Sequence, residues 1–344
     1  MNYLILDFKF IVLLIFIFYF IFYKSFNDKT IPKISIFLPI YNKERYLNRS
    51  INSIQNQSLK EVEIIAINDY STDKTLEILK ELQKYDKRIK IINNKKNYGL
   101  LYSRSMGIQN SRGEYIMNLD PDDELAGNDN LEYLYNKAKK NNVEVLSYSF
   151  LYKSNNSTVI KCSNFDKILI QPEIFESAFN SNNILNDYLI WNKLIKRSLF
   201  IKVHRLFRQK SKTERWNFHE DNIWSLLINK YSLSMLCTNK LIYIYYSNEE
   251  SFMNNRGNIQ EINNLFNRHY MFTEILNKKK EEKYIIAEIS ELIYLIDSFF
   301  LSIIKNNPII KEKLINLIST SMKKYEIPYN YFIKFKCFID NLMK

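Results

Sequence analysis

Gly113-Glu-Tyr-Ile-Met-Asn-Leu-Asp120-Pro-Asp122-Asp123 runs an apolar strand directly into three carboxylates. The placement matters because carboxylate oxygens suit a hard cation such as Mn2+ or Mg2+, and the bound ion would clamp the phosphates of a ligand too anionic to approach bare aspartates. Asp-Pro-Asp-Asp is equally good turn chemistry, since Pro presets one dihedral and Asp bonds its own backbone. The surrounding sequence decides between the two.

Upstream lie three more strand-like runs, each followed by polar residues. Lys33 to Leu38 ends at Pro39-Ile-Tyr41-Asn42, Val62 to Ile67 ends at Asn68-Asp69-Tyr70-Ser71-Thr72-Asp73, and Arg88 to Ile92 precedes the run at Tyr115 to Leu119. Between them, Tyr46, Leu47, Ile51 and Ile54, and then Leu76, Ile78, Leu79 and Leu82, fall at helical spacing, with Asp73 placed to cap the second helix. Strands and helices in alternation predict an α/β fold, a mostly parallel sheet flanked by helices on both faces. Ligands of such sheets bind beyond the carboxyl ends of the strands, where Tyr41, Asp69 and the Asp120 cluster would converge.

Four segments then carry a family likeness. Ile36-Phe-Leu-Pro39-Ile-Tyr41-Asn42, Ile64-Ile-Ala-Ile-Asn68-Asp69-Tyr-Ser71-Thr-Asp73, Asn97-Tyr-Gly99 with Arg104 and Gly107, and the Gly113 to Asp123 stretch resemble the successive signatures of family 2 glycosyltransferases of the GT-A, Rossmann-like fold. A looser likeness continues through Trp191-Asn192-Lys193-Leu194, Glu220-Asp221 and Tyr243-Ile-Tyr245-Tyr246, so that it spans Lys33 to Asn255.

The resemblance implies an enzyme of hexosyltransferase type that moves one sugar from a nucleotide-diphosphate donor, a UDP-sugar favoured, to a hydroxyl of a glycan, lipid or protein. It implies donor binding by Pro39, Tyr41, Glu44, Asp69, Arg104 and Asp120, with Tyr41 stacked on the base and Asp69 accepting from the base's ring N–H. Asp120 and Asp122 would hold Mn2+ or Mg2+, Arg104 would add positive charge near the diphosphate, and Asp221 would be the general base of an inverting attack. Each residue also has a plainer reading: Tyr41 is one of 25 tyrosines, Glu44 suits a helix first turn, and Glu220-Asp221 opens the helix of Ile223 to Leu227. Many members of the family carry Gly or another small residue where this chain has Tyr70. Two rivals are a binding protein of the same fold without catalysis and a nucleotidyltransferase on a related fold; Pro39 to Arg45 lacks the Gly-rich grip on a triphosphate that the latter needs.

Residues 1–30 read as an uncleaved anchor and stem. Phe10 to Tyr23 is unbroken apolar sequence, and Leu4 to Tyr23 supplies the about 20 residues that span a bilayer core. A cleaved signal peptide would want small residues at a cleavage site, yet the first Ala is Ala66. A single N-terminal span in a eukaryotic cell would place the protein in endomembranes such as ER or Golgi. Lys24, Lys29 and Lys33 after the span favour a cytosolic catalytic part, whereas Asn48, Asn56, Asn155 and Asn156 sit in sequons that favour the lumen, so both sides stay open. Three widely spaced cysteines, Cys162, Cys237 and Cys337, argue against a disulfide framework and lean towards a reducing compartment.

The net charge of +12 is spread along the chain and no nucleic-acid fold signature accompanies it, so nucleic acid is not an expected partner. Residues 31–255 are expected to form the catalytic domain and 256–344 a helical region. In the latter, Ile286 to Ile303 shows three-and-four spacing, flanked by helices at Asn258 to Lys279 and Lys311 to Tyr325.

Overall fold

The computed structural model describes residues 31–154, 157–162, 166–180, 189–210, 220–247 and 307–324. The expected anchor and the helices expected at Asn258 to Lys279 and Ile286 to Ile303 lie outside the described residues. Among the described residues, no helix is long and apolar enough to cross a membrane.

Four parallel strands form one half of the sheet: β1 (Ile34–Ile40), β2 (Val62–Asn68), β3 (Ile89–Asn93) and β4 (Tyr115–Asn118). Helices α1 (Leu47–Gln55), α2 (Thr75–Tyr85) and α3 (Leu100–Asn110) connect them in turn. β1 and β2 are buried along their whole length, which is why they read as continuous Ile-rich runs.

The other half departs from the parallel pattern. After β5 (Glu124–Leu125) and α4 (Asn130–Lys140) come β6 (Val145–Lys153), β7 (Thr158–Ile160), β8 (Leu169–Ile170), α5 (Glu173–Asn180) and β9 (Lys193–Lys196). Then follow α6 (Arg197–Lys210), α7 (Glu220–Tyr231), β10 (Ser234–Tyr246) and α8 (Pro308–Lys324). The strand order is β3-β2-β1-β4-β9-β6-β10-β5, with β9 antiparallel to both neighbours and β6 parallel to β10. The sheet is thus parallel in its first half and mixed in its second.

Two apolar layers sandwich the sheet. On one side α1, α2 and α4 bury Leu47, Ile51, Leu79 and Leu134; on the other, α3, α6 and α7 bury Ile108, Phe200, Phe207 and Trp224. Gly107 lets α3 settle onto β1, because a Cβ there would come within 2.5 Å of the Phe37 ring. α8 overlaps the tail helix expected at Lys311 to Tyr325, and its Ile310 and Leu314 join the Trp224 layer.

Cys162 and Cys237 form a disulfide, a single bridge where the wide, odd-numbered spacing of the cysteines argued against a disulfide framework. The hairpin of β6 and β7 returns Cys162 over β6, where its N–H donates to Ser149 Oγ at 3.0 Å, and β10 carries Cys237 alongside. The Cα atoms end 6.0 Å apart across 75 residues of sequence, a pairing that spacing does not reveal. The cysteine argument for a reducing compartment falls with it.

Candidate functional site

The carboxyl ends of β1, β2 and β4 carry the residues singled out from sequence. Pro39 is buried in β1 opposite Ile67, and the chain then turns through Tyr41, which is 41% exposed, to Asn42 at φ 50°. Asn42 N–H donates to Ser71 Oγ at 3.0 Å while its Oδ1 accepts from Thr72 N at 2.8 Å. Glu44 N donates to Asp73 Oδ2 and Lys74 N donates to Glu44 Oε2 at 2.9 Å. Glu44 therefore ties the loop after β1 to the start of α2; Asp73, expected as the cap, lies one residue ahead of the N-cap Lys74 and accepts from Thr75 N at 3.0 Å. Tyr70 is also left-handed, at φ 63°, a conformation in which Gly or Asn is at ease and Tyr is not.

Asp69 is 3% exposed and both its oxygens are engaged. Oδ1 accepts from Asn94 Nδ2 at 2.7 Å and Tyr98 N at 2.9 Å, and Oδ2 from Gly99 N at 2.7 Å. Gly99, at φ 91°, makes that turn possible. The carboxylate expected to read a base thus also fixes the loop leading into α3.

The three carboxylates after β4 point three ways. Asp120 Oδ1 accepts from Asn118 Nδ2 at 2.8 Å and lies 3.3 Å from Arg104 Nη2, and its N–H donates to Tyr243 Oη at 3.2 Å. Asp122 pairs with Lys43 Nζ at 2.7 Å, and Arg49 Nη2 donates to its backbone carbonyl. Asp123 is buried under Tyr243 Oη at 2.7 Å and Tyr246 N at 2.8 Å; burial, with Asp122 and Asp120 close by, pushes its carboxyl well above the usual range.

Arg104, expected to face the diphosphate, is 4% exposed and clasped by protein. Its Nη1 donates to Glu220 Oε1 and its Nη2 to Asp120 Oδ1. Burial alone would weaken the guanidinium's hold on its proton, but Glu220, Asp120 and Asp221 override it and keep Arg104 charged more firmly than usual. Burial also pushes Glu220 up to about 7, against the pull of Arg104. Asp221 stands next to Glu220 in the first turn of α7, partly open, with Asn222 N donating to its Oδ1 at 3.0 Å.

The structure therefore brings Asp120, Arg104 and Glu220-Asp221 together, and sets Pro39, Tyr41 and Asp69 at the ends of the adjoining strands. Sequence reasoning missed Lys43, Asn118 and Tyr243 as partners of the acidic turn; all three lay inside or beside quoted motifs, but the bond that Tyr243 accepts from Asp120 N crosses 123 residues and no local pattern signals it.

Among the described residues, no trio of His, Cys, Asp or Glu converges as a ready-made metal cage. The donor set still fits a hard cation held by one or two carboxylates and completed by ligand phosphates, because Asp120 and Asp122 supply oxygen donors and Asn118 Oδ1 is buried without a partner beside them. The Lys43 ammonium already sits on Asp122 at 2.7 Å, so a cation held there would share or displace it.

Comparison with known proteins identifies the family and the fold. The model of glycosyl transferase family 2 matches residues 35–204. An uncharacterized glycosyltransferase, EpsJ of Bacillus subtilis, is 29% identical over 223 residues, 64% of this chain and 63% of its own. The GalNAc(5)-diNAcBac-PP-undecaprenol beta-1,3-glucosyltransferase of Campylobacter jejuni is 30% identical, across 53% of this chain and 67% of its own length. Another curated relative, GlyA of Streptococcus pneumoniae, is 30% identical and matched over 30% of its length. The crystal structure of S. aureus TarS in complex with UDP-GlcNAc shares the fold at a TM-score of 0.53 and 17% identity, covering 85% of this chain and 89% of that one. The chain belongs to glycosyl transferase family 2.

Proposed function

We propose that the protein transfers a single sugar from a nucleotide-diphosphate sugar to an acceptor hydroxyl with inversion, assisted by Mn2+ or Mg2+, while tethered to a membrane by residues 1–30. The observation that carries this reading is the bridge through Arg104, which joins the Asp120 turn to the Glu220-Asp221 helix start. It gathers a donor-side carboxylate and a candidate base from opposite halves of the sheet.

Each side chain then has a task. Tyr41, exposed at the end of β1, is available to lie against a base, and Pro39 and the Asn42 to Glu44 loop shape that end of the pocket. Asp69 holds the Tyr98-Gly99 turn and presents a fixed acceptor edge. Asp120 and Asp122 would hold the cation, which when bound neutralises the charge of the departing diphosphate. Asp221 takes the proton of the attacking hydroxyl, while Glu220 stays buried and fixes the helix start. The relatives named glycosyltransferases and the UDP-GlcNAc seen in TarS support a nucleotide-sugar donor, with a UDP-sugar first in line.

The test is calorimetric titration of the full chain with UDP-GlcNAc, UDP-glucose and GDP-mannose, each with Mn2+ and with EDTA. The reading requires that one donor bind and that EDTA weaken it by tenfold or more. Failure of all three donors to bind under both conditions would sink it. The anomeric configuration of the product, read by NMR, decides inversion.

A further inference from the structure

The edge of the sheet opposite the candidate site, where β1, β2 and β3 begin, has its own character. A cleft of about 530 Å³ opens there, lined by Lys60, Lys87, Arg88, Lys90 and Arg112 around Pro32 and Val62. Lys60, Lys87, Lys90 and Arg112 are all exposed. Beyond them, α4 ends in Lys139 and Lys140 at the same edge. Acids are present but engaged: Glu61 pairs with Lys33, Glu63 with Arg112 and Asp86 with Arg88. Among the described residues, that leaves Lys60, Lys87 and Lys90 without a carboxylate partner; Lys60 bonds carbonyl oxygens at the end of α1, and Lys90 the Asn110 amide.

Two apolar side chains stand out of this basic edge. Tyr85, at the end of α2, is 83% exposed, and Ile31, where the described chain begins, is 74% exposed. Lysines at helix ends are expected from the helix dipole. That explanation covers Lys139 and Lys140, but not lysines on the β3 strand and the turn before it, nor the unburied Tyr85. Basic residues interleaved with an exposed aromatic and an exposed aliphatic residue match the charge and the interfacial depth of a lipid surface. The apolar run Leu4 to Tyr23 lies just ahead of Ile31 in sequence.

We propose that this edge is a docking face for an anionic lipid bilayer, with Lys60, Lys87, Lys90 and Arg112 at the headgroups and Tyr85 and Ile31 at the interface. The inference rests on the membrane tether of the proposed function and deepens it by fixing an orientation. β1 has seven residues, so its length holds the donor site about 23 Å above the headgroups. The site then faces away from the membrane, towards an acceptor group carried that far from the lipid plane.

The experiment places the full chain in nanodiscs of neutral phosphatidylcholine, and in discs containing about 30% phosphatidylglycerol, and measures lysine acetylation rates site by site. Lys87 and Lys90 should be labelled at least threefold more slowly in the anionic discs, with the protection lost at high salt. Lys74 and Lys153, exposed at the opposite edge, should be labelled equally in both. K87E/K90E should abolish the difference at Lys60 while the protein stays in the discs. Equal rates at Lys87 and Lys90 in both discs, with the chain still disc-bound, overturn the docking face and leave the tether standing. A chain that associates with neither disc overturns both.

Discussion

Arg104 and Glu220, 116 residues apart in sequence, form a buried ion pair in which Arg104 Nη1 donates to Glu220 Oε1. The same guanidinium reaches Asp120 with its other amino group, so one side chain of α3 sets both the end of β4 and the start of α7. The fork geometry is what allows two carboxylates to be held at once, and a single ammonium cannot reproduce it.

Arg104→Lys should therefore lower kcat by about 10- to 100-fold while donor affinity stays within a few-fold of the parent. Arg104→Met should go further and cost about 1 to 3 kcal/mol of stability, because it leaves the buried Glu220 and Asp120 carboxyl groups without their donor. Measured kcat, donor Kd and denaturant midpoints on both variants separate positioning from packing. If Arg104→Lys loses donor binding and keeps kcat, Arg104 is a phosphate contact after all.

Asp122→Asn tests the cation. The side chain is only 19% exposed and pairs with Lys43, itself 14% exposed, so its loss should cost about 1 to 3 kcal/mol of stability while leaving the fold intact. Mn2+-dependent donor affinity should fall at least tenfold. Equal affinity in variant and parent, by calorimetry with Mn2+, would remove Asp122 from the metal set.

The parallel half of the fold was legible because its strands are mostly apolar runs and α1 and α2 repeat at three and four positions, and the strand expected at Arg88 to Ile92 is β3, at Ile89–Asn93; α3, whose Leu100, Leu101 and Ile108 follow no such repeat, was not read from the sequence. The other half was not legible. β9 is a four-residue strand whose place between β4 and β6 depends on partners about 50 to 80 residues away, and no local pattern encodes such pairing. Asp221 could be selected through its motif, but the plain dipeptide gave no sign that Glu220 turns inward to Arg104. Tyr70 was read as a departure from the small residue of relatives, and its φ of 63° supplies the physical reason for that preference.

Tyr70→Asn follows from that angle. The ring is 53% exposed and contributes little burial, whereas Asn tolerates the left-handed conformation. The variant should be more stable by about 0.5 to 1 kcal/mol, read from the urea midpoint. A loss of about 1 kcal/mol or more would show that the ring packs against a partner that outweighs the backbone preference.

His204 predicts how stability responds to acid. It is 5% exposed, lies parallel to Trp224 at 5.8 Å and is within 3.3 Å of the Gln109 amide. Burial, with Arg208 and Arg205 nearby, lowers its pKa from 6.5 to about 4. Between those values the unfolded chain takes up a proton that the folded protein refuses. Stability from this group is therefore present above pH 6.5 and lost as pH falls towards 4. Comparing melting temperatures of the parent and His204→Phe from about pH 7.5 to 4 should show the parent losing on the order of 1 to 3 kcal/mol more. Parallel curves would mean that His204 takes up its proton as readily in the folded protein as in the unfolded chain.

Asp221→Asn examines the base directly. Asn is nearly isosteric and can still accept the Asn222 N–H, but it cannot take a proton. If Asp221 deprotonates the acceptor, turnover should fall by about 10² to 10⁴ and donor affinity should hold within a few-fold. If it serves only to begin α7, the variant should lose about 1 kcal/mol of stability or less and keep its turnover. Glu220→Gln provides the contrast, since Glu220 faces Arg104 rather than an acceptor: its main effect should be on stability and on the pairing of Arg104 with Asp120. Near-normal turnover in Asp221→Asn, together with a large loss in Glu220→Gln that conservative repacking does not explain, would move the base by one residue.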